Sequence, residues 1–283
     1  DDNPATTGAC GTSTGRLCRV VDASGTTDYK YNDLGQLIEV KEVRGALTFT
    51  TGYDYDLAGV LTEITLPSGR TIDYTLNNNG QVSAVAADVN ASSTSLASAI
   101  TYLPFGPVAS MTYGNSITLT NTYNTAYQLT NRTIGSLMNE NFTYDDANNI
   151  TAKGSDSYTL DDLYRITAEN SDSYTYDAIG NRLTKNTDDY TYPSTSSKLS
   201  DVEGDSATYD SAGNITDDTA RDYTIDAANR LESIEISSST VGEYVYNANN
   251  QRTEKTVSSV TTHYVYGQGG LLYGEYDSSG NMI

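Results

Sequence analysis

The sequence has no tryptophan, one histidine, two cysteines, three methionines and three phenylalanines in 283 residues. An ordinary Leu/Ile/Phe core is excluded by this composition. A lone histidine, His263, and two cysteines cannot complete a zinc site. Basic residues are scarce as well: 16 Lys and Arg stand against 37 Asp and Glu, giving a net charge of −21 and a pI near 4.1. Nucleic acid is therefore excluded as a partner, because phosphate binding needs Lys and Arg to displace counterions. Anionic membrane surfaces are disfavoured for the same reason. No apolar run is long enough for a membrane-spanning segment, so membrane insertion is not expected. The start, Asp1-Asp2-Asn3-Pro4, has no Met, basic region or apolar region. The expectation is a mature or excised chain whose leader has been removed.

Tyrosine is abundant, with 24 copies. Its ring can be buried while its hydroxyl finds a partner or water, which suits thin repetitive β-structures. The tyrosines fall in an internal repeat, clearest in Tyr174-Thr175-Tyr176-Asp177-Ala178-Ile179-Gly180-Asn181-Arg182-Leu183. Other copies begin at Tyr29, Tyr53, Phe142, Tyr158, Ala207, Tyr223, Tyr244 and Tyr264, and a last one runs from Glu275 to Ile283. Equivalent positions Tyr144, Leu160, Tyr176, Tyr192, Tyr209 and Ile225 are spaced by 16, 16, 16, 17 and 16 residues. A near-constant step means that each unit adds the same rise to a growing structure.

Residues two apart on a strand share a face, so Tyr174 and Tyr176 point one way and Thr175 the other. The following Asp or Asn can accept backbone N–H groups ahead of it in an Asx-type turn. Gly, or Asn in its place, supplies a positive φ. The unit is thus a strand, a turn and a strand. The fold class is all-β: tandem stacked β-hairpins forming a spiralling sheet or shell, with tyrosine ladders on one face. In domain terms, residues 1–20 are an N-terminal segment and residues 21–283 one continuous repeat domain, with an irregular insertion at about 83–100 or a smooth strand pair lacking the motif there.

The Tyr-Asp-x-x-Gly-Asn-Arg-Leu pattern resembles the YD repeat of rearrangement-hotspot (Rhs) proteins, insecticidal Tc-toxin cages and teneurins. Tyr102-Leu103-Pro104-Phe105-Gly106-Pro107-Val108, followed by Met111-Thr112-Tyr113-Gly114-Asn115, is similar to that family too. The resemblance runs from about residue 20 onward. It implies a YD shell or sheet. Family members that store toxins also carry an Rhs core with an aspartyl self-cleavage site and a toxic domain. This chain ends at Ile283 before any such core, so those activities are not carried over.

Cys10 and Cys18 read as one disulfide closing a short loop, worth about 2.5 kcal/mol in chain entropy. That places the chain in an oxidising, secreted or cell-surface setting. Gly11-Thr12-Ser13-Thr14-Gly15 matches a nucleophile-elbow pattern but has no helix after it, so Ser13 is not expected to be catalytic. His263, in a strand-like stretch, reads as one more strand side chain. The turn acids Asp145, Asp146, Asp161, Asp162, Asp177, Asp210 and Asp226 recur with the repeat, which argues for turn capping over catalysis, with incidental Ca²⁺ as the alternative. The tyrosine ladders read as core packing, with sugar stacking as the alternative. Asn90, Asn131, Asn141, Asn149 and Asn214 lie in glycosylation sequons. No enzyme activity and no cofactor are expected.

Three functions remain. The first is a self-assembling extracellular scaffold, polymerising head-to-tail with itself. In this reading the last strand, with Tyr276, Asn281, Met282 and Ile283, lacks its hairpin continuation and adds to the sheet edge of another copy. Residues 1–20 would help lock that joint. The second is a wall segment of a toxin-enclosing cage. The third is an adhesin for surface glycans or proteins.

Overall fold

The computed structural model describes residues 15–89 and 92–283. It is all-β, with no α-helix among the described residues and a single short 3-10 turn at Gln268–Gly270. Strands pair antiparallel with their sequence neighbours. Leu37–Arg44, for example, pairs with Gly25–Tyr31 before it and Leu47–Tyr55 after it. The same meander runs through Met138–Tyr144, Ile150–Lys153, Asp156–Leu160, Ile166–Glu169 and Asp172–Tyr176.

In most hairpins the two ends are built differently, although Leu61–Thr65 and Val108–Tyr113 have a five-residue turn at both ends. At one end a five-residue turn recurs from Asn32–Gln36 to Asp277–Asn281. The first residue's N–H donates to the fifth residue's carbonyl, and the fourth residue's N–H donates back to the first carbonyl. In Asp177–Asn181, Oδ1 of Asp177 also accepts the N–H groups of Ile179 and Asn181 at 3.0 and 2.8 Å, and Oδ2 accepts the Asn181 amide at 2.8 Å. The fourth position takes a positive φ, 98° at Gly180 and 69° at Asn148, as the Gly/Asn preference requires. At the other end, two residues close the hairpin. Ser237-Ser238 and Ser258-Ser259 do so with positive φ throughout, the conformation that matches strand twist.

A β-bulge follows most of the five-residue turns, though not Leu66–Arg70 or Tyr113–Ile117. Thr159 pairs with Ala168 but Leu160 with Ile166, leaving Thr167 over. The Thr167 hydroxyl donates to Thr159 O at 3.2 Å. Thr62, Ser83, Thr130 and Thr253 do the same at their bulges. The extra residue is thus tied across the ladder that it interrupts.

The strands gather into two compact units, one comprising residues up to Ser98 together with Leu231–Ile283, the other Ala99–Arg230. The first has a true core. Val40, Tyr53, Ile64 and Leu66 are buried, and Tyr273 and Met282 from the end of the chain pack against them. A second cluster joins Phe49 to Val265 and Tyr276. Early and late strands therefore share one interior, and each fully buried large apolar side chain contributes about 1.5–3 kcal/mol. In the second unit Leu119 is the one buried apolar residue among those described. Its strands alternate instead: Tyr174 and Tyr176 are half-buried while Ser173 and Thr175 face solvent. The stretch at about 83–100, read as an irregular insertion or a strand pair lacking the motif, forms a strand pair, Val82–Val89 with Ser92–Tyr102. It pairs through Val85↔Ala97 to Val89↔Ser92 although it lacks the turn motif.

Candidate functional site

The residues that join one hairpin to the next are the last tyrosines before the turns. Tyr144 donates its hydroxyl to Leu129 O at 2.8 Å, and Leu129 directly follows the preceding five-residue turn. Tyr55 reaches Leu37 O at 2.8 Å, Tyr176 reaches Ile166 O at 2.7 Å and Tyr266 reaches Arg252 O at 2.9 Å, each the equivalent acceptor. Each bond spans neighbouring hairpins. The bulge opens the ladder at this point, so the carbonyl is free to accept. Cations reinforce the contact: the Arg165 guanidinium lies 4.7 Å from the Tyr176 ring centroid, and Arg182 lies 4.1 Å from that of Tyr190. The turns are linked as well, by Arg165 Nη1 to Asp177 O at 3.0 Å and Asn214 to Asn229 at 2.9 Å.

The turn acids spend their oxygens on their own loops. The Asn149 side-chain amide and then its backbone N–H hold the Asp145 carboxyl below its ordinary range. The Arg230 N–H and guanidinium do the same for Asp226. Among the described residues, no group of three or more His, Cys, Asp or Glu is gathered as a metal site.

In the first unit, a buried polar cluster ties early strands to late ones. Arg44 pairs with Glu42, donates through Nη1 to Thr253 O at 3.0 Å and through Nη2 to Tyr264 O at 2.9 Å. Its guanidinium lies 5.1 Å from the Phe49 ring centroid. His263 is buried beside the same ring, 5.6 Å between centroids, with Nδ1 3.4 Å from Glu254 Oε1. Burial lowers the His263 pKa; Glu254 opposes this and Arg44 adds to it. Burial also raises Glu42 despite its Arg44 partner. Reading the sequence missed this cluster. The available signal was Glu42 and Arg44 standing in period-two phase with Val40, on the face that turns inward.

The other expected residues fall as follows. Tyr276 is fully buried, its ring 5.1 Å from that of Phe49, and it bridges to Met282. Met282 packs on both core clusters. Ile283 N donates to Glu275 O at 3.0 Å, while its side chain is exposed, and Asn281 closes the turn on Asp277. Of the apolar groups assigned to an intersubunit joint, Tyr276 and Met282 thus pack inside their own unit, against side chains that include Phe49 and Val265, while Ile283 stays exposed. Cys10, Ser13 and Asn90 lie outside the described residues, and the Cys10–Cys18 pairing with them. Cys18 immediately precedes the first strand, and its carbonyl accepts Tyr29 N–H at 2.8 Å. The sequon amides of Asn149 and Asn214 are engaged by Asp145 and Asp210.

No helix among the described residues is long and apolar enough to cross a membrane. No family model and no curated protein matches the sequence. Solved structures do match. The crystal structure of TcdB2-TccC3-Cdc42 superposes with a TM-score of 0.75 at 14% identity, covering 94% of this chain and 17% of that one. The Photorhabdus luminescens Tc holotoxin pore with mutation TccC3-D651A gives 0.74 at 14% identity, covering 95% and 20%. TcdB2-TccC3-TEV gives 0.75 at 15% identity. The chain thus spans about a fifth or less of these structures' length, and what it shares with these Tc toxin components is the fold.

Proposed function

We propose that this chain is a segment of the wall of a YD-type shell that encloses a toxin cargo, a secreted part that does no chemistry of its own. The observation that carries this reading is the chain of hairpins joined by tyrosine hydroxyls, matched along 94% of its length by a Tc toxin component. A meander that lengthens by adding hairpins is suited to making a wall. Its half-buried tyrosine face and turn-locked edges give it rigidity without a thick core. The matched structures are of TcdB2-TccC3 and of a Tc holotoxin pore, which favours assembly with other protein subunits over polymerisation of one chain. The filament reading draws no support from them. The acidic composition supports a setting outside the cell.

Electron microscopy of the natural protein that carries this sequence, combined with limited proteolysis, tests the proposal. The expected result is hollow particles that shield an internal segment from protease. Filaments of constant axial repeat would overturn it in favour of a structural polymer. Cargo-free monomers that bind a glycan array would overturn it in favour of an adhesin.

A further inference from the structure

The first unit contains a cavity of about 370 Å³ that the wall reading leaves unused. Its size lies within the ordinary range for small-ligand sites. Tyr29, Tyr53 and Tyr266 form aromatic walls, Asp22 and Glu42 contribute carboxylates, and Ala248 stands at the exposed mouth. No Lys, Arg or His is among its described lining residues. Two buried polar groups there are incompletely partnered. Tyr53 is 2% exposed, and its hydroxyl makes no hydrogen bond of normal geometry, although Gln268 N–H and the Tyr273 hydroxyl lie close to it. Glu42 is 7% exposed, and Arg44 takes only its Oε2. Buried polar atoms in folded proteins nearly always have partners, so the Tyr53 hydroxyl, beside a Glu42 carboxylate that keeps one oxygen outside its Arg44 ion pair, points to a ligand in this cavity.

The chemistry of that ligand follows from the walls. Carboxylates repel anions. Tyrosine faces attract cations through the ring quadrupole, and a phenol oxygen with a carboxylate oxygen offers two acceptors for N–H donors. We propose that this cavity binds an alkylammonium group the size of a lysine side chain.

Isothermal titration calorimetry on the full chain provides the test, with Nα-acetyl-lysine methylamide as probe. Its neutral isostere Nα-acetyl-norleucine methylamide and N-acetylglucosamine serve as controls. The expected result is saturable binding of the lysine probe at a Kd of about 1 mM or tighter, and at least about tenfold weaker binding of both controls. Ala248→Phe blocks the mouth. Ala248 is the second residue of an Asn247–Gln251 turn, and Leu57 occupies that position in the Asp56–Val60 turn, so the fold accepts a large side chain there. The lysine probe should bind Ala248→Phe about tenfold more weakly. Tyr53→Phe, which removes one acceptor and keeps the ring, should also weaken it. Equal affinity for the norleucine control, saturable binding of the sugar alone, absence of saturable heat, or an unchanged Kd in Ala248→Phe would each overturn the proposal.

Discussion

Replacing Tyr144 with Phe keeps the ring and removes the hydroxyl that donates to Leu129 O. The carbonyl is half-open to water, so the expected cost is that of one net hydrogen bond, about 1 kcal/mol. It should appear as a lower urea midpoint for the second unit with an unchanged slope. The turn residues were legible in the sequence, because Asp177, Gly180 and Asn181 each have a local reason to be there. The role of the hydroxyl was not. Pattern alone places Tyr176 on a face; only the bulge left by Thr167 shows that the carbonyl of the next-door hairpin lies within reach. Gly25 is a second position that needed the structure. Its φ is 133°, and a Cβ there would stand 2.0 Å from Val43 O, a clash that comes from the partner strand and not from its own turn.

The strand Leu37–Arg44 shows what tertiary context adds to an element. Its alternation predicts a half-buried strand, and it is one. It does not predict that Glu42 and Arg44 go inward with Val40, because their partners at Thr253 and Tyr264 belong to strands more than 200 residues away. Arg44→Met leaves Glu42 buried without a countercharge, and the first unit should lose about 3–5 kcal/mol. The double variant Glu42→Leu with Arg44→Met removes both charges and should regain most of that loss. Thermal melts of the three proteins check the cycle; a double variant no better than the single would assign the loss to the bonds with Thr253 and Tyr264. The same need for tertiary context holds for the joint expected at Tyr276, Asn281, Met282 and Ile283: in the sequence Tyr276 looks unpartnered until Phe49 is placed beside it.

The two units should respond to solution conditions independently, since one has a buried interior and the other is held mainly by hydrogen bonds and cross-strand contacts. Acid distinguishes them. His263 has a lowered folded-state pKa, so the unfolded chain takes up the proton first as pH falls through about 6.5. Its contribution is therefore whole above that pH and is lost as pH drops toward the folded value. The turn aspartates act in the same sense further down, because their folded values are also lowered: their contribution holds above the ordinary carboxylate range and disappears below it. Differential scanning calorimetry should show the first unit's transition falling as the pH drops below about 6.5, with His263→Gln flattening that step. A step that survives the substitution would belong to another group. The tyrosine stitch has one further consequence, for heredity. Each hydroxyl reaches back by a single hairpin, and Asp145, Asp161 and Asp177 follow one another at an even 16-residue step. An in-frame duplication of Asp161–Tyr176 in the gene would deliver a link with its own donor, acceptor and turn, ready to join neighbours of the same kind. Copy number in such a chain is free to drift by replication slippage, and selection on length need not rebuild any joint.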